Sequence, residues 1–127
     1  MIEQLLYVST AASAVPEREL RRIEVSSSVY NPLHGITGLL CCDGSRFVQL
    51  IEGRGEEIEV LISRIARDRR HGDVDVLDRR FTTTPAFPHW SMRCVRVSPC
   101  ADERREQIAV LIPDELNPAL REAFLAF

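Results

Sequence analysis

The chain has 127 residues, 45% of them hydrophobic and 28% charged, and a net charge of −3 at pH 7. These values are typical of one globular domain that buries roughly two thirds of its unfolded surface. The negative charge argues against a nucleic-acid partner held through phosphates. No apolar stretch reaches the length of a membrane span, and the first residues lack the basic start of a signal peptide, so a cytoplasmic location is predicted.

The four cysteines show no metal-binding spacing. Cys41, Cys42, Cys94 and Cys100 form no Cys-x-x-C motif and have no histidine beside them at ligand spacing. Cys41 and Cys42 are adjacent in a predicted strand and would point to opposite faces of its sheet. Reduced thiols and no metal site are therefore predicted.

A first strand is predicted over residues 3–9, because EQLLYVS is short, apolar and β-prone. Tyr7 lies in its middle, where a tyrosine usually packs in the core with its hydroxyl hydrogen-bonded. Pro16 fits the start of a helix whose inward positions recur at helical spacing through Tyr30. Asn31-Pro32 is predicted to end that helix, with Asn31 as its cap.

A hairpin is predicted within residues 35–53, where Asp43-Gly44 separates two apolar runs. An Asp-Gly pair is typical of a two-residue turn with positive φ at both positions, and such a turn would pair Gly38 with Gln49. A buried amide left unpaired costs roughly 1–3 kcal/mol, so Gln49 needs a polar partner. Either a loop meets it at a sheet edge, or a ligand approaches it beside Gly38.

The second half of the chain predicts a helix, two strands and two short helices. The helix follows Gly55, has arginines toward its end, and has Gly72 as the predicted C-cap. Strands are predicted over residues 73–77 and 90–97, and in the second of these Trp90, Met92 and Cys94 share a face. The short amphipathic helices 102–111 and 118–127 are expected to pack on the free sheet face or on another subunit.

The predicted order β-α-β-β-α-β-β is that of a ferredoxin-like α+β sandwich with one added strand. A five-stranded mixed sheet with two helices on one face is expected over residues 1–97, and a C-terminal helical extension over residues 98–127. The first and third strands are neighbours in this topology. Tyr7, the sole tyrosine predicted inside, would then meet Gln49 beneath the helices.

Five motifs together resemble the BLUF family of flavin-binding blue-light photoreceptors over about residues 3–97. They are LLYVS, NPLHGITGLL, FVQLIEG, RDRRH and FPHWSM, in that order. Tyr30 departs from the family pattern, because many members carry a polar amide at this position.

The resemblance implies that a flavin ring lies between the two main helices. Ile23 and Ile65 would grip its faces, Asn31 would bind its polar edge, and Gln49 would lie between the ring and Tyr7. A flat ring with apolar faces and one polar edge does need aliphatic walls and a few amides.

The resemblance also places Arg70 and His71 at the ribityl-phosphate end of the flavin, with Asp68 orienting one of them. FAD is the implied cofactor, with FMN as the alternative. Trp90 and Met92 would correspond to the family residues that exchange places near the glutamine, and which of the two lies there is left open.

The implied activity is light sensing without turnover of a substrate. Excited flavin would take an electron from Tyr7, its proton would follow, and the pair would recombine with the Gln49 amide rotated or tautomerised. The signal would pass through the last strand to the terminal helices, and then to an unidentified downstream protein or a second copy in a homo-oligomer.

Three other functions are alternatives to light sensing. A ferredoxin-like ligand-sensing or protein-interaction module without photochemistry is the main alternative. A hydrolase that uses His34, His71 and His89 is disfavoured, because they lie on separate segments with no nucleophile motif. RNA binding on the sheet lacks the basic charge and the paired aromatic residues that it needs.

Overall fold

The computed structural model describes residues 1–127 and confirms the predicted order of elements. These are β1 (Ile2–Ala11), α1 (Glu17–His34), β2 (Thr37–Cys42), β3 (Arg46–Gly53), α2 (Gly55–Arg67), β4 (His71–Thr82), β5 (Arg93–Arg96), α3 (Ala101–Leu111) and α4 (Pro118–Leu125). The sheet order is β4-β1-β3-β2-β5, in which only β2 and β5 run parallel. The five-stranded mixed sheet of a ferredoxin-like sandwich is therefore confirmed. No helix combines the length and the apolar character that a membrane crossing requires.

Both faces of the sheet are covered by helices. Side chains alternate along β1 and β3, so that one set faces α1 and α2 and the other set faces α3 and α4. The first core contains Leu5, Tyr7, Leu20, Ile51 and Ile58 among others. The second core is built from buried residues of the strands and of the two terminal helices, including Leu6, Val48, Ile108, Leu120 and Phe124. The terminal helices thus lie on the sheet face opposite α1 and α2.

The predicted register of the β2–β3 hairpin is wrong by two residues. Gly38 lies opposite Ile51, and Gln49 lies opposite Leu40. Because the shift is even, Gln49 keeps its predicted face and lines the cavity on the side of α1 and α2. A side chain at Gly38 would collide with the Leu50 backbone, so Gly38 allows two strands and the Met92 side chain to approach closely.

Four residues, 43–46, separate the last paired positions Cys42 and Phe47, in place of the predicted two. A tight turn of that kind needs positive φ at both central residues, and only Gly44 has it, at 100°. The Asp43 carboxylate instead accepts hydrogen bonds from the backbone N–H groups of Ser45, at 2.9 Å, and Arg46, at 2.8 Å. An aspartate that bonds to the backbone in this way stabilises a wider turn.

Two helix ends also differ from prediction. α1 continues past Pro32 to His34, because Gly35 at φ 64° forms the C-cap and its N–H bonds to the Asn31 carbonyl. A proline in the last turn removes only one helical hydrogen bond. α2 ends at Arg67 with Asp68 as C-cap, and Gly72 belongs to β4 instead of capping the helix.

Strand β5 is shorter than predicted, and β4 is longer. The predicted strand 90–97 is regular only over Arg93–Arg96, and β4 covers His71–Thr82. Trp90 and Met92 lie before β5 in irregular chain, where strand alternation does not apply, and the expectation that they share a face is wrong. Trp90 stacks on Phe87 in the core under the terminal helices, whereas Met92 is buried in the other core.

Candidate cofactor site between the helices

A cavity of about 440 Å³ lies between α1, α2 and the sheet. Eight residues predicted for the site line it, namely Tyr7, Ile23, Asn31, Gln49, Ile65, Asp68, Arg70 and His71. The structure therefore brings these residues together in one place. Eight further lining residues were not predicted, namely Ser26, Ser27, Tyr30, Leu40, Phe47, Leu61, Arg64 and Arg67.

Tyr7, Gln49 and Met92 form a chain of hydrogen bonds beneath the cavity. The Tyr7 hydroxyl donates to Gln49 Oε1 at 2.5 Å, and Gln49 Nε2 donates to Met92 Sδ at 3.2 Å. All three side chains are buried. Because the phenol donates to the amide oxygen, the amide N–H₂ group is left for the thioether, which is a weak acceptor. Each end of the Gln49 amide thus has a different partner.

The Tyr7 phenol is held in its neutral form. Burial raises the pKa of Tyr7 above its usual value of 10.0, and the negative charge of Asp68 adds to this effect. Desolvation disfavours the phenolate because the buried site replaces little of the hydration that an anion has in water. Tyr7 therefore keeps its proton at neutral pH, and that proton already lies on the bond to Gln49.

The Asn31 side chain lines the cavity and is fixed by one hydrogen bond. It is 3% exposed, and its Nδ2 donates to the Ser91 carbonyl at 2.5 Å. This bond fixes the amide and leaves Oδ1, which is an acceptor, for a ligand with a donor on its edge. The same bond ties the last turn of α1 to the chain that precedes β5.

An ion pair lies at the end of the cavity where α2 meets β4. Arg70 Nη2 lies 2.6 Å from Asp68 Oδ2, and Arg70 Nη1 donates to Glu19 Oε1 at 3.1 Å. The hydrogen bonds from Arg70 hold the pKa of Asp68 below its ordinary value. Asp68 thus orients the Arg70 guanidinium and stays ionised at neutral pH.

His71 is held by two hydrogen bonds that define its tautomer. Its Nε2 lies 2.6 Å from the Ile65 carbonyl, which only accepts, so Nε2 carries the hydrogen. Its Nδ1 lies 2.7 Å from Ser9 Oγ, and the hydroxyl donates to it in the neutral ring. The imidazole meets the Tyr7 ring edge-on, with centroids 6.3 Å apart. His71 thus forms part of the wall beside Tyr7.

Tyr30 corrects the prediction that Tyr7 is the only internal tyrosine. Tyr30 is half-buried and lines the same cavity. The Arg64 guanidinium lies 4.5 Å from the centre of the Tyr30 ring, and the His34 ring stacks on Tyr30 with ring centroids 4.1 Å apart. The Arg64 contact joins α2 to α1, whereas the His34 contact lies within α1. The sequence does indicate this position, because Tyr30 follows Ile23 by seven residues and so lies on the same face of the helix.

Met92 is the neighbour of Gln49, which settles the question that the sequence left open. The Met92 side chain is 3% exposed and accepts the Gln49 hydrogen bond. Trp90 is half-buried and stacks on Phe87, with ring centroids 5.2 Å apart. Neither Trp90 nor Met92 lines the cavity.

The fold and the site together define a ferredoxin-like domain with an inter-helical site suited to a flat ligand with one polar edge. The family model described as "Sensors of blue-light using FAD" matches residues 2–93. The chain therefore belongs to the BLUF family of blue-light flavin sensors.

Three relatives illustrate the similarity. The blue light- and temperature-regulated antirepressor BluF of Escherichia coli K12 is 28% identical to this chain over 74 residues. The matched residues are 58% of this chain and 18% of BluF, so the chain spans less than a fifth of that relative. The dark-state structure of the BLUF protein BlrB is 33% identical, with a TM-score of 0.77, and 98% of this chain covers 92% of that one. Klebsiella pneumoniae BlrP1 with FMN and cyclic diGMP is 31% identical with a TM-score of 0.81, and 99% of this chain covers 35% of it.

Proposed function

We propose that this chain senses blue light through a flavin held in the cavity between α1 and α2, with Tyr7 as the electron and proton donor and Gln49 as the group that switches. The Tyr7–Gln49 hydrogen bond at the cavity floor carries this proposal. The proposed activity turns over no substrate.

The residues around the cavity fit a flavin. Ile23 of α1 and Ile65 of α2 supply branched aliphatic walls for its ring faces, and Asn31 Oδ1 is the free acceptor for a donor on its edge. Arg70 and His71 would lie toward the ribityl-phosphate end. We propose FAD as the natural cofactor, in keeping with the family description, and FMN as the alternative, since FMN accompanies BlrP1.

The photochemistry follows from the Tyr7–Gln49 bond. When bound, a flavin supplies the light-absorbing group and, once excited, a strong oxidant. Tyr7 gives up one electron, and its proton moves along the existing hydrogen bond toward Gln49 Oε1. Both return to Tyr7 on recombination, so that no atom is gained or lost. The lasting change is the orientation of the Gln49 amide.

Rotation of Gln49 changes both of its contacts. The amide nitrogen would turn from Met92 Sδ toward Tyr7, and the amide oxygen would leave the phenol. Met92 loses a hydrogen-bond donor in this rotated arrangement. The change at Gln49 therefore reaches the chain that leads into β5.

The output is proposed to pass through Met92 and Trp90 to the C-terminal extension, residues 98–127. Trp90 packs against the core that α3 and α4 share with the sheet, so a displaced Trp90 would disturb those helices. We propose an unidentified downstream protein or a second copy of this chain as the recipient. The division into a sensor, residues 1–97, and an extension follows the same argument, and the predicted cytoplasmic location stays a prediction.

An absorption spectrum before and after blue light tests the proposal. The purified protein is expected to be yellow and to shift its absorption to longer wavelength on illumination. Tyr7→Phe should keep the bound flavin and lose the shift, whereas the control Tyr30→Phe should keep both. A protein that stays colourless when it is supplied with FAD or FMN contradicts flavin binding, and a shift that persists in Tyr7→Phe excludes Tyr7 as the donor.

A further inference from the structure

Glu52 is a fully buried carboxylate at the end of β3. It is 1% exposed and lies three residues beyond Gln49 on the same strand. In the sheet it is opposite Gln4 of β1 and Thr37 of β2. A buried carboxylate needs compensating hydrogen bonds, because burial of an ion without partners costs several kcal/mol. The hydrogen-bond partners of Glu52 therefore indicate its structural role.

Four neutral donors meet the Glu52 carboxylate. Oε1 accepts from Thr37 Oγ1 at 3.1 Å and from the Phe87 backbone N–H at 2.9 Å. Oε2 accepts from Gln4 Nε2 at 2.9 Å and from the Ala86 backbone N–H at 2.6 Å. Hydrogen bonds to an ionised acceptor are about twice as strong as neutral ones. Two of the four thus tie consecutive backbone amides to the sheet.

Those amides belong to the irregular β4–β5 connection, residues 83–92. This connection reaches both cores, since Phe87 and Trp90 pack under the terminal helices and Met92 packs beside Gln49. Two other bonds hold the C-terminal end of the connection. The Gly38 N–H of β2 donates to the Trp90 carbonyl at 3.0 Å, and Asn31 of α1 donates to the Ser91 carbonyl. Thr82, the last residue of β4, bonds to the adjacent Thr84. Among the side chains of β1, β2 and β3, only Glu52 bonds to the first half of the connection.

We propose that Glu52 is a positioning residue that latches the β4–β5 connection to β3, and thereby sets Met92 against Gln49 and Trp90 against Phe87. A glutamine cannot replace it. In either orientation, the amide N–H₂ group would face one of the two backbone N–H groups, which cannot accept, so one of them would lose its partner. The connection would then be released at one end.

The test compares Glu52→Gln with the control Thr37→Val in the full chain as purified. Thr37→Val removes one side-chain donor and leaves both backbone bonds intact. Amide hydrogen exchange at Ala86 and Phe87 should accelerate by about tenfold or more in Glu52→Gln and stay close to wild type in the control. Wild-type exchange at the rate of an exposed loop would contradict the latch, even if Glu52→Gln did not fold.

Trp90 provides a second readout, because it is the single tryptophan of the chain. In Glu52→Gln its fluorescence should shift to longer wavelength and its quenching by acrylamide should rise severalfold, while circular dichroism shows the sheet intact. Thr37→Val should leave both unchanged. Equal behaviour of the two variants would overturn the positioning role and leave Glu52 as an ordinary buried group.

A last measurement rests on the proposed function. If flavin binds, Glu52→Gln should retain the light-induced shift and return to the dark state roughly threefold more slowly, because Gln49 loses its fixed Met92 partner. A wild-type protein without a flavin shift would contradict the proposed function alone. An unchanged recovery in a variant whose Ala86 and Phe87 amides exchange fast would contradict the link from the latch to Gln49.

Discussion

Tyr7 and Gln49 are direct cross-strand partners in the β1–β3 ladder, and their side chains meet through the 2.5 Å hydrogen bond. Both residues are therefore placed by the backbone hydrogen bonds of two inner strands and not by loops. Side chains on such strands are held more precisely than side chains on loops. The pair thus has a fixed starting geometry, and the groups that change are a hydroxyl proton and one amide.

The neutral state of Tyr7 predicts a specific alkaline behaviour. Because burial raises its pKa above 10.0, the folded protein keeps this proton at pH 10–11, whereas the unfolded chain releases it. Folding stability linked to Tyr7 is therefore complete below pH 10 and falls as the pH rises above that value. Tyrosinate absorbance of the folded wild type and of Tyr7→Phe should rise equally between pH 10 and 11. A smaller rise in Tyr7→Phe would mean that Tyr7 ionises there.

Met92→Leu is expected to change the rate of dark recovery more than the stability of the fold. The two side chains have similar volumes, so the free energy of unfolding should fall by less than about 1.5 kcal/mol. The Gln49 amide loses its thioether acceptor, however, and dark recovery of the flavin-loaded protein should slow by roughly threefold. Ile62→Leu, an aliphatic change at the edge of the same core, is the matched control. Identical recovery in both variants would show that Met92 does not hold the amide.

The Asp68–Arg70 pair predicts an acid-sensitive contribution to stability. Hydrogen bonds from Arg70 lower the pKa of Asp68 below 3.8, so its stabilising effect is present above that pH and is lost as the pH falls through the folded-state value. Asp68→Asn should therefore lower stability at pH 7, and its difference from wild type in urea unfolding should shrink as the pH falls below 3.8. The exposed Asp75→Asn serves as control. A difference of the same size at pH 7 and at acid pH would point to packing instead of charge.

Phe124→Ala tests the attachment of α4 to the sheet. Phe124 is 0% exposed in the core that it shares with Val48 and Leu50, and loss of a buried phenylalanine costs about 3–5 kcal/mol. The midpoint of urea unfolding should fall accordingly. Glu122→Ala, on the exposed side of the same helix, should change stability by less than about 0.5 kcal/mol. A small effect of Phe124→Ala would mean that α4 detaches easily from the sheet.

The order of elements was predictable because period-2 and period-3.6 patterns are strong in this chain. The lining residues Tyr7, Gln49, Ile23 and Asn31 were identified from the same patterns together with the family motifs. These features depend on which face a residue occupies, and a face follows directly from spacing along one element.

Of the features that were not predicted, two depend on which of several local signals prevails, and one depends on contacts between distant segments. The Asp43 loop is set by side-chain bonds to the backbone, and the end of α1 is set by Gly35 beyond Pro32. The separation of Trp90 from Met92 arises because residues 86 and 87 are fixed by Glu52 of another strand. This last contact joins residues more than thirty positions apart, and no local pattern contains such information.

The wide loop at Asp43 also bears on how freely the hairpin tip can change. A change that moves the β2–β3 pairing by an even number of residues keeps every side chain on its own side, as the difference between a two-residue and a four-residue loop illustrates. A shift by one would exchange Gln49 with Leu50, and the amide would leave the cavity for the aliphatic core below the terminal helices. Whether the β2–β3 pairing shifts by an even or an odd number of residues, more than the length of the loop, therefore decides whether Gln49 faces the cavity.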